Sequence, residues 1–276
     1  MNIRPLFFII AIAFPSVSQA AWFTDTPLQR TYQALIDQQP ILAWQELKIA
    51  LNQNQLDSQF WVPVKQEVLS QTECGQDLSN DFNSISNIQV SFIRRFGLSS
   101  QGYQLKISSR RNTSDQDIAL VSPSGKRLLS GKLIAHAQYQ EIETEEMLLK
   151  PPSGVYQLEI GQNSYPIIAS MDNNKRWLKL EHKLHSPSIL ITPPRNVIGC
   201  PEVNASWQWF DEQYNMLGNR VPIQNSNLSV PKESPYSYKA KHLSAAVELT
   251  EYQNGTKINY IQRVAIPFSP ENEAKQ

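Results

Sequence analysis

The chain is 276 residues long, 41% hydrophobic and 18% charged, and its 25 basic side chains cancel its 25 acidic ones. That length and apolar content suffice for a buried core and exclude a disordered polypeptide. The neutral balance removes the electrostatic footprint of a nucleic-acid binder and the attraction of an anionic membrane, so neither partner is expected.

The N-terminus reads as an export signal. Arg4 precedes an apolar run over residues 6–14, Pro15 breaks it, and Ser18-Gln19-Ala20 places small residues where signal peptidase cuts, so cleavage is expected after Ala20. A membrane anchor would need about 20 apolar residues. No cysteine lies near the cut for lipid attachment. The expected location is therefore the periplasm, reached through a cleaved signal peptide, with a mature protein that is not membrane-embedded. In such an oxidising compartment the two cysteines, Cys74 and Cys200, read as one disulfide. Two separate buried thiols are the alternative.

Residues 21–80 read as a helical N-terminal cap. Thr26-Pro27-Leu28-Gln29 has the composition of a capping box, with proline at the first helical position. A second helix is expected from Pro40, with Ile41, Trp44, Leu47 and Leu51 on one stripe, and a third over residues 64–69. So short a helical unit cannot bury its own apolar face and must pack on the next domain.

From about Phe82 the period falls from 3.6 to 2. Strands are expected at residues 88–92, 103–107, 118–121, from Leu128, at 147–149, 155–160, 165–170 and 177–184. Ser186-Pro187 and Pro193-Pro194 read as a boundary, followed by strands at 189–191, 205–210, 236–239, 244–252 and 257–267. Asn254-Gly255 is a strong hairpin signal between the last two. The expected fold class is mainly β with an α-helical cap and two antiparallel sandwiches, a central one over 81–185 and an Ig-like one over 186–268, then a disordered tail over 269–276.

Two resemblances rest on particular residues. Ile118-Ala-Leu-Val-Ser-Pro-Ser-Gly125 and Pro152-Ser-Gly-Val-Tyr156 resemble the two ends of the small jelly-roll domains (pre-peptidase C-terminal-like) appended to secreted bacterial enzymes. That likeness implies a sandwich with a non-catalytic binding role. The signal segment, the helical start around Trp44, residues 151–160 and Ala205-Ser-Trp-Gln-Trp-Phe210 together resemble a DUF2861-like family of secreted proteins of unknown function from vibrio-type bacteria. Members are sometimes encoded near an envelope-sensing histidine kinase, which implies an accessory role in cell-surface signalling. The family supplies no catalytic residues.

Direct signals for chemistry are sparse. His182 and His185 fall on a predicted strand, where a separation of three points them to opposite faces, and His136 and His242 lie far away. Glu141, Glu143 and Glu145 share one face if extended, but without a calcium-loop pattern they read as a charged edge strand that discourages sheet aggregation. Arg94-Arg95 and Arg110-Arg111 fall at opposite ends of a predicted hairpin, roughly 20 Å apart, and read as solvated strand ends rather than an anion site. No nucleophile elbow occurs, because the glycines around Ser99-Ser100 are too far apart. No metal or cofactor is implied. Trp207 and Trp209 share one strand face; they either stack on sugar rings, with Tyr214 nearby, or belong to the core and leave Phe210 to be covered. The expected function is therefore a non-enzymatic binding or accessory protein with a protein partner in the bacterial envelope. A carbohydrate- or cell-wall-binding module is the alternative, and an envelope hydrolase comes third.

Overall fold

A computed structural model describes residues 26–78, 87–97, 100–171, 175–183, 186–236, 239–266 and 268. The expected signal segment with its cut after Ala20, the tail over 269–276, and His185 lie outside the described residues.

Three α-helices come first among the described residues. α1 (Gln29–Ile36) starts without a side-chain cap. The capping box expected at Thr26 does not form, because residues 26–29 make a turn instead, closed by the Gln29 N–H donating to the Thr26 carbonyl at 2.9 Å. α2 (Pro40–Gln53) begins at its proline as expected, where a missing N–H costs nothing. It buries Ala43, Trp44, Leu47 and Ala50, while Ile41 stays exposed. α3 (Ser58–Ser70) begins at Ser58 rather than at residue 64, where the periodicity places its start. Asp57 caps it by accepting from the Gln59 N–H at 3.0 Å, and Pro63 sits inside the helix rather than marking its start.

Among the described residues, fourteen strands follow in three sheets. β3 (Gln116–Val121), β4 (Arg127–Leu133), β6 (Gly154–Ile160) and β7 (Asn163–Ala169) make an antiparallel four-stranded sheet in the order β4-β3-β6-β7. β8 (Leu178–Lys183), β9 (Ser186–Ile191) and β12 (Asn227–Ser229) make a small one. The largest has seven strands in the order β11-β10-β13-β14-β1-β2-β5. Its members are β1 (Ile88–Phe96), β2 (Gln101–Arg110), β5 (Tyr139–Glu143), β10 (Asn204–Phe210), β11 (Met216–Pro222), β13 (His242–Gln253) and β14 (Thr256–Ile266).

This sheet corrects the expected pair of separate sandwiches. Its centre is a parallel pairing of β1 with β14, from Gln89↔Lys257 to Phe96↔Val264. That pairing joins strands from both sides of the boundary expected at residue 185. The boundary itself falls inside a hairpin, since Lys183 pairs with Ser186. The expected strand at 147–149 reduces to one bridge between Met147 and Tyr103, with Leu148 and Leu149 exposed. β5, β11 and β12 were not expected as strands, and none forms among the described residues at 236–239. Asn254-Gly255 does close a tight hairpin, both residues having positive φ.

One continuous core fills the space between the sheets. Phe92, Leu105 and Tyr260 of the large sheet meet Leu120, Tyr156 and Leu158 of the four-stranded sheet, together with Leu178 and Ile189 of the small one. Alternation along β6 splits its faces: Tyr156, Leu158 and Ile160 enter this core, while Val155 turns to the helices with Ile168 of β7. The helical cap therefore packs on the outer face of the four-stranded sheet. Gln253 ties that sheet to the large one, its side chain accepting from the Ile168 N–H and donating to the Ile168 carbonyl, both at 2.8 Å.

The predicted disulfide joins Cys74 to Cys200. Cys74 lies in a short 3-10 segment, Glu73–Leu78, beside the stretch of β13 that extends past the start of β10. Gly75 makes this docking possible. It holds φ +87°, and a Cβ there would stand 2.0 Å from the Tyr252 carbonyl oxygen.

Candidate functional site

The face of the large sheet turned away from the core is the candidate site. Successive residues of a strand alternate between faces, so this face carries Gln89, Ser91, Ile93 and Arg95 of β1 and Lys257, Asn259, Ile261 and Arg263 of β14. β13 adds Ala246, Glu248 and Thr250, β2 adds Gln104, Lys106 and Ser108, and β5 adds Glu141 and Glu143. Ile93, Ala246 and Ile261 make a small buried apolar cluster there. The face is polar, yet Ser91 and Asn259 are 0% exposed.

Curvature explains that burial. Glu141 lies on β5 at one edge of the sheet and Arg220 on β11 at the other, and in a flat sheet six strand spacings would hold those edges roughly 29 Å apart. The Arg220 charge nonetheless acts on Glu141. The sheet is curled like a half-barrel with the polar face inside, and the long side chains of its walls cover the small polar residues of its floor.

Hydrogen bonds order these walls. Glu248 accepts from Arg220 Nη1 at 2.9 Å and from Asn259 Nδ2 at 2.5 Å, and Lys257 Nζ lies 3.6 Å away. Thr250 Oγ1 donates to Asn259 Oδ1 at 3.0 Å. Lys106 Nζ pairs with Glu141 Oε1 at 2.6 Å, and the Tyr139 hydroxyl donates to the same oxygen. Burial pushes the Glu141 carboxyl up, but hydrogen bonds from Lys106 and Tyr139 and the charges of Lys106 and Arg220 outweigh it and hold it below the usual range. Burial and the same carboxylate push Tyr139 up to about 12.

The predicted ligand residues separate here. Trp207 and Trp209 point into the core at 5% and 2% exposure, so neither offers a ring face to a sugar. Their strand alternation is as expected, with Phe210 on the opposite, polar face. Tyr214 is 67% exposed and stacks on His242 with ring centroids 4.0 Å apart, at the end of the concave face where Phe210 pairs with His242. The two arginine pairs do fall at opposite ends of the β1–β2 hairpin. Arg94 and Arg95, however, are half-buried and on opposite faces rather than solvated. Glu141 and Glu143 lie on an edge strand as read, and among the described residues no group of three or more His, Cys, Asp or Glu could hold a metal ion.

A second polar cluster lies inside the protein. Lys65 Nζ donates to Glu251 Oε1 at 2.6 Å, to the Ile168 carbonyl at 3.0 Å and to the Tyr260 hydroxyl at 3.1 Å. Gln253 Nε2 reaches the same Glu251 oxygen at 2.7 Å. Burial lowers the Lys65 pKa, with the Glu251 charge and hydrogen bond opposing it. The Tyr260 hydroxyl is pushed well above its usual value, by burial first and then by Glu251. A cavity of about 60 Å³ adjoins Lys65, Arg94, Ser170, Trp177 and Glu251, room for a few waters and well short of the roughly 300 Å³ of a small-ligand pocket. This cluster links α3, β7, β13 and β14 and reads as structural.

The model of a family described as a protein of unknown function (DUF2861) matches residues 22–269. The chain belongs to this family. No curated protein matches it. Among solved structures it is similar to the BSP domain of a biofilm associated protein, at 10% identity over 66% of this chain and 30% of that one, with a TM-score of 0.20. It is also similar to native alpha-2-macroglobulin from Escherichia coli spanning domains NIE-MG1, at 13% identity over 65% of this chain and 97% of that one, with a TM-score of 0.17. The chain thus spans 30% of the length of the first of these. TM-scores of this size carry no argument about fold or function. Among the described residues, no helix of this family member is long and apolar enough to cross a membrane.

Sequence reasoning missed Arg220, Glu248 and Arg263. The alternation Lys257-x-Asn259-x-Ile261-x-Arg263 does mark a polar face on β14, but only the parallel pairing shows that Arg263 stands beside Arg95.

Proposed function

We propose that this family member is a non-enzymatic binding or accessory protein of the bacterial envelope, engaging its partner through the concave face of the seven-stranded sheet. The single observation that carries the reading is that this face is concave and lined by ordered polar side chains, while the smaller sheets pack against the other side. A service to envelope sensing comes from the family resemblance. Tyr214 and His242, stacked at one end of the face, support a glycan as the second reading.

Ala265 is exposed on this face, one alternation beyond Arg263. Crosslinking in intact producing cells followed by purification is expected to recover an envelope partner with the wild-type protein and to lose it with Ala265→Trp, which fills the groove without touching the core. Osmotic shock is expected to release the protein with the periplasmic contents. Capture that persists in Ala265→Trp, or recovery in the cytosolic fraction, overturns the reading. Retention on cell-wall glycan, lost in Tyr214→Ala, would establish the second reading instead.

A further inference from the structure

Within the concave face, one row of side chains runs across the strands through Gly102, Arg95, Arg263, Ala246 and Ser206. It sets two guanidinium groups side by side on adjacent strands, an arrangement that costs free energy through like-charge repulsion. Arg220 on β11 adds a third charge that acts on Arg263.

The three arginines are not equally provided for. Arg220 has Glu248 at 2.9 Å, and Arg95 has Glu146 at 3.9 Å. Arg263 makes neither a hydrogen bond nor an ion pair among the described residues, and its Nε is buried without a partner. Burial, then the charges of Arg220 and Arg95, lower its pKa to about 10, with Glu141 and Glu143 acting the other way. A guanidinium carries five N–H donors in a fixed fork, and leaving a buried one such as this Nε–H unmatched is costly. Its neighbours in the row are Ala246 on one side and Arg95 on the other, and beyond Arg95 the Glu146 carboxylate lies across Gly102 (a Cβ there would stand 2.0 Å from its Oε1).

We propose that Arg263, flanked by Arg95 and Arg220, binds one oxyanion group of a ligand, a carboxylate or a phosphate, held in the concave face. Planar forks match the paired oxygens of such groups. The surrounding carboxylates, Glu141, Glu143, Glu146 and Glu248, leave room for one anionic group and repel a polyanion. The inference rests on the concave face being the binding surface and names the chemistry recognised there.

The test is thermal unfolding and isothermal titration of the full chain at constant ionic strength, with inorganic phosphate in one arm and acetate in the other. Saturable binding with a rise in Tm is expected in at least one arm, and the arm that responds tells phosphate from carboxylate chemistry. Arg263→Gln is expected to weaken it about tenfold or more. Arg127→Gln, which breaks a surface pair with Glu159 on the four-stranded sheet, is expected to leave it unchanged. Without added anion, Arg263→Gln should unfold at the wild-type temperature or above, because it removes a half-buried charge repelled by its neighbours. Failure of the wild-type protein to bind either anion saturably overturns the proposal whatever the variants do. Equal binding by Arg263→Gln, or equal loss in Arg127→Gln, overturns it too. A protein that captures an envelope partner yet ignores both anions loses this inference and keeps the proposed function.

Discussion

Lys65 shows how far a single side chain can be committed by its surroundings. It is a lysine with its side chain 6% exposed, reaching from a helix to Glu251 of β13, itself 8% exposed. A buried pair adds little over an apolar substitute, but removing one partner strands the other charge in a low-dielectric interior. Lys65→Met is therefore expected to destabilise the fold by about 3–5 kcal/mol, whereas Lys65→Met with Glu251→Gln recovers most of that loss. Urea unfolding of both variants decides it, and equal losses would show that packing rather than charge governs the site. In the sequence, Lys65 sits in a helix of mixed polarity and Glu251 in the alternating strand of residues 244–252. Nothing local in either stretch announces the other.

At the scale of elements, the 3-10 segment Glu73–Leu78 is held by three devices: the disulfide, the glycine that lets it lie against Tyr252, and the free flank of β13 before β10 begins. The pairing of Cys74 with Cys200 was legible, because two cysteines leave one possible bridge. What it stapled was not legible. The cysteines are separated by 126 residues, for which the chain-entropy model gives about 4–5 kcal/mol as an upper figure. The Cys74→Ser/Cys200→Ser double variant is expected to lose up to that much stability in denaturant titrations. A thiol reductant should lower the wild-type Tm and leave the variant unmoved. β6 makes the same point from the other side. Its alternation gave away a strand, and the structure shows both faces in use, Val155 toward the helices and Tyr156 toward the core.

For the molecule as a whole, the parallel β1–β14 pair decides the architecture. If the chain held two independent sandwiches, residues 26–185 and 186–268 would each fold alone. With β1 paired to β14 and one core running through all three sheets, neither fragment has a closed core. Each is expected to show poor chemical-shift dispersion and no cooperative thermal transition, and mixing the two is expected to restore both; a cooperative transition in either fragment alone would refute this. The sequence by itself determined the period of each segment, the helix-to-strand change after the cap, the hairpin at Asn254-Gly255, the disulfide and the alternation that puts Trp207 and Phe210 on opposite faces. All of these are local or, for the disulfide, forced by counting. Only the tertiary structure decided that Trp207 and Trp209 are core, that strands from both halves share a sheet, and that Arg95, Arg220 and Arg263 converge inside its curl. Pairing between strands far apart in the chain depends on which faces can be buried together, and no window of neighbouring residues carries that information.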